Sequence, residues 1–149
     1  MTQQQETRRQ NMEQERGGQA WKNVKAIQQK DKTLQKEYRS LARGLNAMIQ
    51  INGLGQALGF LKAKGKNDAG KAHFLLLTHL TDWMRGPNHF SATNMAVMND
   101  GQDGLLKWVV DSGTSSADYR RATAECLAFG NWLSRFAEAE LEEPKPGEL

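Results

Sequence analysis

The side chains able to do chemistry are few in this chain, and their spacing matches no common metal or hydrolytic pattern. His73, His79 and His89 show neither the HExxH spacing of a zinc protease nor a cysteine pair that would complete a zinc site. Structural or surface roles are therefore the better interpretation of these histidines. We predict no metal site and no cofactor.

The sequence also offers no clear candidate for a catalytic nucleophile, general acid or general base. The sequence contains no GxSxG motif, and Cys126 lies on the apolar stripe of a predicted helix, where a thiol more often fills space than reacts. Asp100 and Asp103 imitate a catalytic carboxylate pair, but in a glycine-containing segment before a helix such residues more often cap free backbone amides. The chain is predicted not to be an enzyme, and a small hydrolase is the least favoured class.

Three glycines, Gly53, Gly55 and Gly59, form a GxGxxxG pattern that invites comparison with a dinucleotide-binding loop. We reject that comparison because a βαβ unit needs further strands rich in Val and Ile, and the rest of the chain supplies helical patterns. Gly53 is instead predicted to end one helix and start another. Gly55 and Gly59, four residues apart, would let a neighbouring helix approach closely. The packing gained in this way would offset the low helix propensity of glycine.

Lysine and arginine are concentrated in the first half of the chain. Residues 1–75 carry fourteen of them against six acids, a balance of +8, whereas residues 76–149 carry six against eleven, a balance of −5. Because clustered cations attract polyphosphate backbones through counterion release, this local excess favours a nucleic-acid partner. For any single lysine, a solvated helix face is the alternative interpretation.

The hydrophobic pattern predicts an all-α protein. Apolar residues recur three and four apart in nearly every long segment, and alternating strand patterns are scarce. The predicted helices run from the N-terminal region to residue 28, then over residues 31–51, 52–64, 67–85, 100–110 and 114–143. A chain of 149 residues with 38% hydrophobic content suits one core. We therefore predict a compact single-domain bundle of about five to six helices spanning residues 13–141.

The two ends of the chain are predicted to lie outside this domain. Residues 1–12 have almost no apolar content and are expected to fray, and residues 142–149, with two prolines and a glycine, are expected to be a flexible tail. Cys126 is the single cysteine, so an intramolecular disulfide is impossible and a reducing cytoplasm is the expected compartment. No stretch approaches the roughly 18 to 20 apolar residues of a membrane span, and no membrane partner is expected.

Two separated blocks resemble one known family. The first is the run from Asn52 to Phe60, preceded by Tyr38 and Ile49, which is similar to the NGL-x-Q-x-L-x-F signature of the small, non-catalytic subunit of Cmr-type (type III-B) CRISPR effector complexes. The second block, over residues 119–137, resembles that family's C-terminal helix. His79-Leu80 and Trp83 fit its middle helix. The resemblance spans roughly residues 14–141, and the chain departs from the family pattern mainly at Asn46, Gly59 and Cys126.

The resemblance implies a helical subunit that stacks with neighbouring copies of itself beside a repeated backbone subunit and lines the channel holding guide RNA and target RNA. Such a subunit would read no sequence, because base pairing does that; it would neutralise phosphates and fix the path of the strand, and other subunits would cleave. The residues expected to face RNA are Arg39, Arg43, Lys62, Lys64, Lys66 and Lys71, with Arg120, Arg121 and Arg135 as candidates for RNA or a neighbouring subunit.

A different class of function remains open at this point. The basic side could meet an acidic protein, which would make the chain an assembly adaptor with no direct contact to RNA. The copy number in a complex, the oligomeric state of the isolated chain and the role of the loop over residues 86–100 are not determined by the sequence.

Overall fold

Seven α-helices account for most of the chain in a computed structural model that describes residues 2–86 and 90–148. They are α1 (Gln3–Gln28), α2 (Lys32–Asn52), α3 (Leu54–Gly65), α4 (Ala72–Met84), α5 (Met95–Met98), α6 (Gly104–Val109) and α7 (Ser116–Glu140). The described residues contain no strand, which confirms the all-α prediction. The helix that the periodicity did not indicate is α5, a single turn too short to show a repeat.

The long helices begin where the sequence offers an oxygen to cap their free amides. The Asp31 carboxylate accepts the Leu34 N–H at 2.9 Å, and the Ser115 hydroxyl accepts the Asp118 N–H at 3.1 Å. Gly53 separates α2 from α3 with φ 86° and ψ 158°, a backbone conformation essentially restricted to glycine. The predicted helix break at this glycine is confirmed.

α7 is the element against which the other long helices align. α1 runs parallel to it, since Arg16 bonds to Glu125 near one end and Gln28 donates to the Glu140 carbonyl at 3.0 Å near the other. α2 runs antiparallel to α7, and the Asn46 amide donates to the Leu127 carbonyl at 3.0 Å. The α3–α4 hairpin packs on α2, and α6 lies against both helices of the hairpin.

The buried side chains form one core cluster that draws on all seven helices. Trp83 of α4 stacks on Phe129 of α7, with ring centroids 4.9 Å apart and planes within 6°. The predicted stripe of α2 is confirmed at Leu34, Tyr38 and Leu45, which are buried; Leu41 and Met48 pack against the core while partly exposed.

The two chain ends differ in how they contact this core. Residues 3–11 are helical but exposed, and Met12 is the first side chain to pack against the buried cluster. At the other end Glu148 pairs with Lys36 of α2 at 2.8 Å, and the Glu142 N–H donates to the Gln35 side chain at 3.1 Å. Fraying of residues 1–12 and mobility of residues 142–149 in solution stay predictions.

Candidate nucleic-acid interface

Three lysines lie at the turn between α3 and α4. α3 ends because the chain reverses tightly: Lys66 and Asn67 adopt left-handed backbone with φ 50° and 54°, and a Cβ on Gly65 would stand 2.8 Å from the Phe74 nitrogen. Lysines lie before, within and after this turn. We call Lys64, Lys66 and Lys71 the α3–α4 basic turn.

None of these three lysines forms an ion pair within residues 2–86 and 90–148. The acid of the same turn, Asp68, instead accepts the Gly70 N–H at 2.8 Å. Lys64 and Lys66 are exposed, and Lys71 is half-buried at the start of α4. Unneutralised cations held at the end of a rigid hairpin can contact phosphates without first breaking an internal salt bridge.

Two aromatic rings to which the sequence assigned no role in RNA binding lie beside the basic turn. Phe60 of α3 and His73 of α4 meet edge to face with centroids 5.6 Å apart, and Phe60 is 37% exposed. Burial lowers the pKa of His73, the cations of Lys64 and Lys71 lower it further, and the Glu37 carboxylate opposes them. His73 is therefore neutral near pH 7. A signal was available, because Phe60 precedes Lys64 by one helical turn.

Lys62, also predicted to face RNA, is engaged within the molecule. Its ammonium pairs with the Asp103 carboxylate at 2.9 Å, next to α6, and donates to the Asn67 side chain. Burial opposes ionisation of Asp103, but hydrogen bonds from Lys62 and Lys107 outweigh it and lower the pKa of Asp103. The capping role predicted for Asp100 and Asp103 is wrong: Asp103 precedes α6 without capping it, and both carboxylates bind Lys107.

The two arginines of α2 lie on the side of that helix that reaches the end of α7. The Arg39 guanidinium donates to the Leu141 carbonyl at 3.2 Å, which ties α2 to the C-terminus of α7. Arg43, one turn further along, is exposed and has no ion pair among the described residues. Arg39 thus has a structural contact, whereas Arg43 is available to a partner.

The arginines of α7 also divide into engaged and available residues. Arg121 pairs with Asp118 at 2.8 Å, donates to the Ser91 carbonyl at 3.1 Å and lies 4.7 Å above the Phe90 ring. Arg120 is exposed, and Arg135 lines a shallow depression between α1 and α7. Of the predicted cations, Lys64, Lys66 and Lys71 thus share one turn without ion pairs among the described residues. Lys62 also reaches this turn, at Asn67, but is paired with Asp103, and the predicted arginines lie on α2 and α7.

The Glu125 carboxylate holds helices of the bundle together. Glu125 accepts two hydrogen bonds from the Arg16 guanidinium, at 2.7 and 2.8 Å, and a third from the Trp83 indole at 3.0 Å. The hydrogen bond to Glu125 raises the pKa of Arg16, so this cation stays charged and is unavailable to RNA. Glu125 joins α1, α4 and α7 at a single side chain.

Other kinds of site have no candidate in the described part of the chain. Across residues 2–86 and 90–148, no group of three His, Cys, Asp or Glu side chains is placed to hold a metal ion. His89 lies outside the described residues. No described helix combines the length and apolarity needed to cross a membrane.

Comparison with known proteins decides the family. The family model described as CRISPR-associated protein (Cas_Cmr5) matches residues 12–140. The chain belongs to the CRISPR-associated Cmr5 family. It is thereby a small subunit of Cmr-type, type III-B effector complexes, as its resemblance to that family implied. A solved structure, the X-ray crystal structure of a CRISPR-associated Cmr5 family protein from Thermus thermophilus, has the same fold: it is 24% identical, with a TM-score of 0.66 over 88% of this chain and 98% of that one.

The two blocks that carried the Cmr5 resemblance touch each other in the structure. The Tyr119 hydroxyl, from the second block, accepts the Gly55 N–H of the first block at 3.0 Å. Gly55 lacks a Cβ at this contact, where one would stand 3.3 Å from Val109 and 3.6 Å from the tyrosine oxygen. The prediction of close approach is confirmed at Gly55 and wrong at Gly59, where a Cβ would meet nothing within 4 Å.

Proposed function

We propose that this Cmr5 family member is a non-enzymatic subunit that holds the path of guide and target RNA through sequence-independent phosphate contacts. The observation that carries the proposal is the α3–α4 basic turn, three lysines that share one end of a rigid hairpin and lack internal ion pairs among the described residues. Arg43, Arg120 and Arg135, which are exposed on α2 and α7, would make separate secondary contacts. Lys62, Arg39 and Arg121 act mainly within the fold.

In a complex, the remaining surface of the bundle would face the repeated backbone subunit and neighbouring copies of this chain. Antiviral defence in the cytoplasm is the setting that the family implies for such an assembly. Phosphate contacts suit this role because they position a strand without reading its sequence, while base pairing with the guide supplies specificity.

The proposal predicts salt-dependent binding of single-stranded RNA by the full chain. The logarithm of the association constant should fall with the logarithm of salt concentration by roughly 0.7 for each phosphate neutralised. Replacing Lys64, Lys66 and Lys71 together with Glu should abolish most of this binding and flatten the slope. Fluorescence anisotropy of a labelled oligoribonucleotide over a salt series measures both quantities.

A matched control uses three exposed lysines elsewhere. Lys22 lies on α1, Lys30 between α1 and α2, and Lys32 at the start of α2, and their replacement by Glu changes the net charge by the same amount. If this control weakens RNA binding as much as the basic-turn variant does, binding depends on total charge alone and the assignment to the turn is rejected. Helical content measured by circular dichroism must be unchanged in both variants.

The alternative, an assembly adaptor without RNA contact, is favoured by a second surface. Trp21 of α1 is 40% exposed and meets Phe136 of α7 at 5.2 Å, and Trp132 lies 5.5 Å from the same ring. Partly exposed aromatic clusters are frequent at protein interfaces. Crosslinking of a photoreactive target RNA in the assembled complex separates the two functions: RNA-linked peptides from residues 60–73 support the first, and their absence supports the adaptor.

A further inference from the structure

The aromatic pair beside the basic turn, Phe60 and His73, lies partly in solvent. Phe60 is a large apolar ring with 37% of its surface in solvent, and His73, a half-buried ring, stands against it at 5.6 Å on the neighbouring helix. Leu61 and Ala57 of α3 are fully buried and already attach this helix to the core. The exposed part of Phe60 is therefore not explained by core packing.

The cations around the two rings make this surface suitable for a nucleotide. Lys64 follows Phe60 by four residues on α3, and Lys71 precedes His73 at the start of α4; both are close enough to His73 to act on its charge. Glu37 of α2 acts on the same ring, more strongly than either lysine taken singly, so two cations and one carboxylate surround His73. An aromatic face framed by lysines is the arrangement with which proteins bind single-stranded nucleic acid by stacking a base and neutralising the adjacent phosphates.

We propose that the Phe60 ring, held edge to face by His73, forms a stacking platform for an unpaired base of single-stranded RNA, with Lys64 and Lys71 contacting the phosphates on either side. The proposal rests on the RNA-binding function proposed above and specifies its ligand: a strand with at least one base outside a duplex, rather than a phosphate backbone alone. Stacking is tolerant of base identity because every base has an aromatic face, so the platform adds affinity without adding sequence specificity.

The test compares two RNAs that differ only in their bases. The full chain is titrated with a single-stranded oligouridylate and with an abasic oligoribonucleotide of the same number of phosphates. We expect the oligouridylate to bind about five-fold tighter or more, the gain that one stacked base implies. Phe60→Leu should lower its affinity to that of the abasic strand and leave the salt slope unchanged, whereas Phe60→Tyr, which keeps a ring, should preserve the difference.

Trp21→Leu is the matched control, because Trp21 is a surface aromatic of similar exposure that lies on α1 and away from the basic turn. It should leave the ratio of the two affinities unchanged, and thermal unfolding followed by circular dichroism shows which variants are folded at the titration temperature. Equal binding of both RNAs with a steep salt slope overturns the platform and leaves the phosphate-binding function intact. Failure of both RNAs to bind overturns both proposals.

Discussion

At the scale of single residues, one buried tyrosine hydroxyl is paired with a histidine from another helix. The Tyr38 hydroxyl on α2 is completely buried and lies 2.7 Å from Nδ1 of His79 on α4. Burial raises the pKa of Tyr38 and lowers that of His79 to about 4, so the hydroxyl donates and the neutral imidazole accepts. The histidines predicted from the sequence to have structural or surface roles thus include one, His79, with a specific partner.

The lowered pKa of His79 predicts that acid weakens the fold. In the unfolded chain the imidazole has its ordinary pKa near 6.5, so between about pH 6.5 and pH 4 the unfolded state binds a proton that the folded state does not. Stability present above pH 6.5 is therefore lost as the pH falls. His79→Asn, which keeps an acceptor and does not titrate, should reduce the loss of unfolding free energy between pH 7 and pH 5 by about 1–2 kcal/mol.

Urea unfolding of both proteins at the two pH values measures this difference. His73, whose pKa is also lowered, is present in both proteins and cancels in the comparison. An identical acid response of the variant and the parent chain would show that His79 does not account for the sensitivity.

At the scale of elements, the first family block lies at the junction between α2 and α3, where the backbone geometry tolerates few side chains. Gly53 closes α2 by donating to the Ile49 carbonyl at 2.8 Å while its own backbone has positive φ and extended ψ. Immediately after it, Gly55 brings α3 under the Tyr119 hydroxyl of α7. The glycines at the start of the family signature therefore correspond to a tight reversal and a close contact within the bundle.

Two glycine substitutions in this same block should have opposite effects on stability. Gly53→Ala places a Cβ in a conformation that other residues rarely adopt, and we expect it to lower the free energy of unfolding by about 1–3 kcal/mol. Gly59→Ala lies within α3 with open space around it, and we expect it to raise that free energy by about 0.5–1 kcal/mol. Chemical denaturation of the two variants measures both changes, and a destabilising Gly59→Ala would contradict the structural account of α3.

At the scale of the whole molecule, the core couples α1, the α3–α4 hairpin and α7 into one unit. Glu125 joins three helices through its bonds to Arg16 and Trp83, and the buried apolar residues of all the described helices belong to one cluster. Chains of this size with a single core usually unfold in one cooperative transition. The positive turn at the end of the hairpin is thus supported by the same core as the rest of the chain.

This coupling predicts that thermal unfolding followed by tryptophan fluorescence coincides with unfolding followed by circular dichroism. The four tryptophans report on different regions: Trp83 and Trp108 are buried in the core, whereas Trp21 and Trp132 lie along the α1–α7 surface. Midpoints that agree indicate one unit. An earlier fluorescence transition with helical content retained would show that part of the bundle opens separately.

The amino-acid sequence by itself determined the all-α class, the positions of the principal helices and the family, because these depend on local periodicity, caps, breakers and motifs read along one chain. The choice among cations needed tertiary structure: Lys62 and Lys64 stand two residues apart in the sequence, yet Lys62 turns to Asp103 beside α6 and Lys64 forms no ion pair with any described residue. The same is true of Phe60 and His73, which meet only because α3 and α4 fold back on each other. Pairing and exposure depend on residues distant along the chain, and no spacing rule within a single helix contains that information.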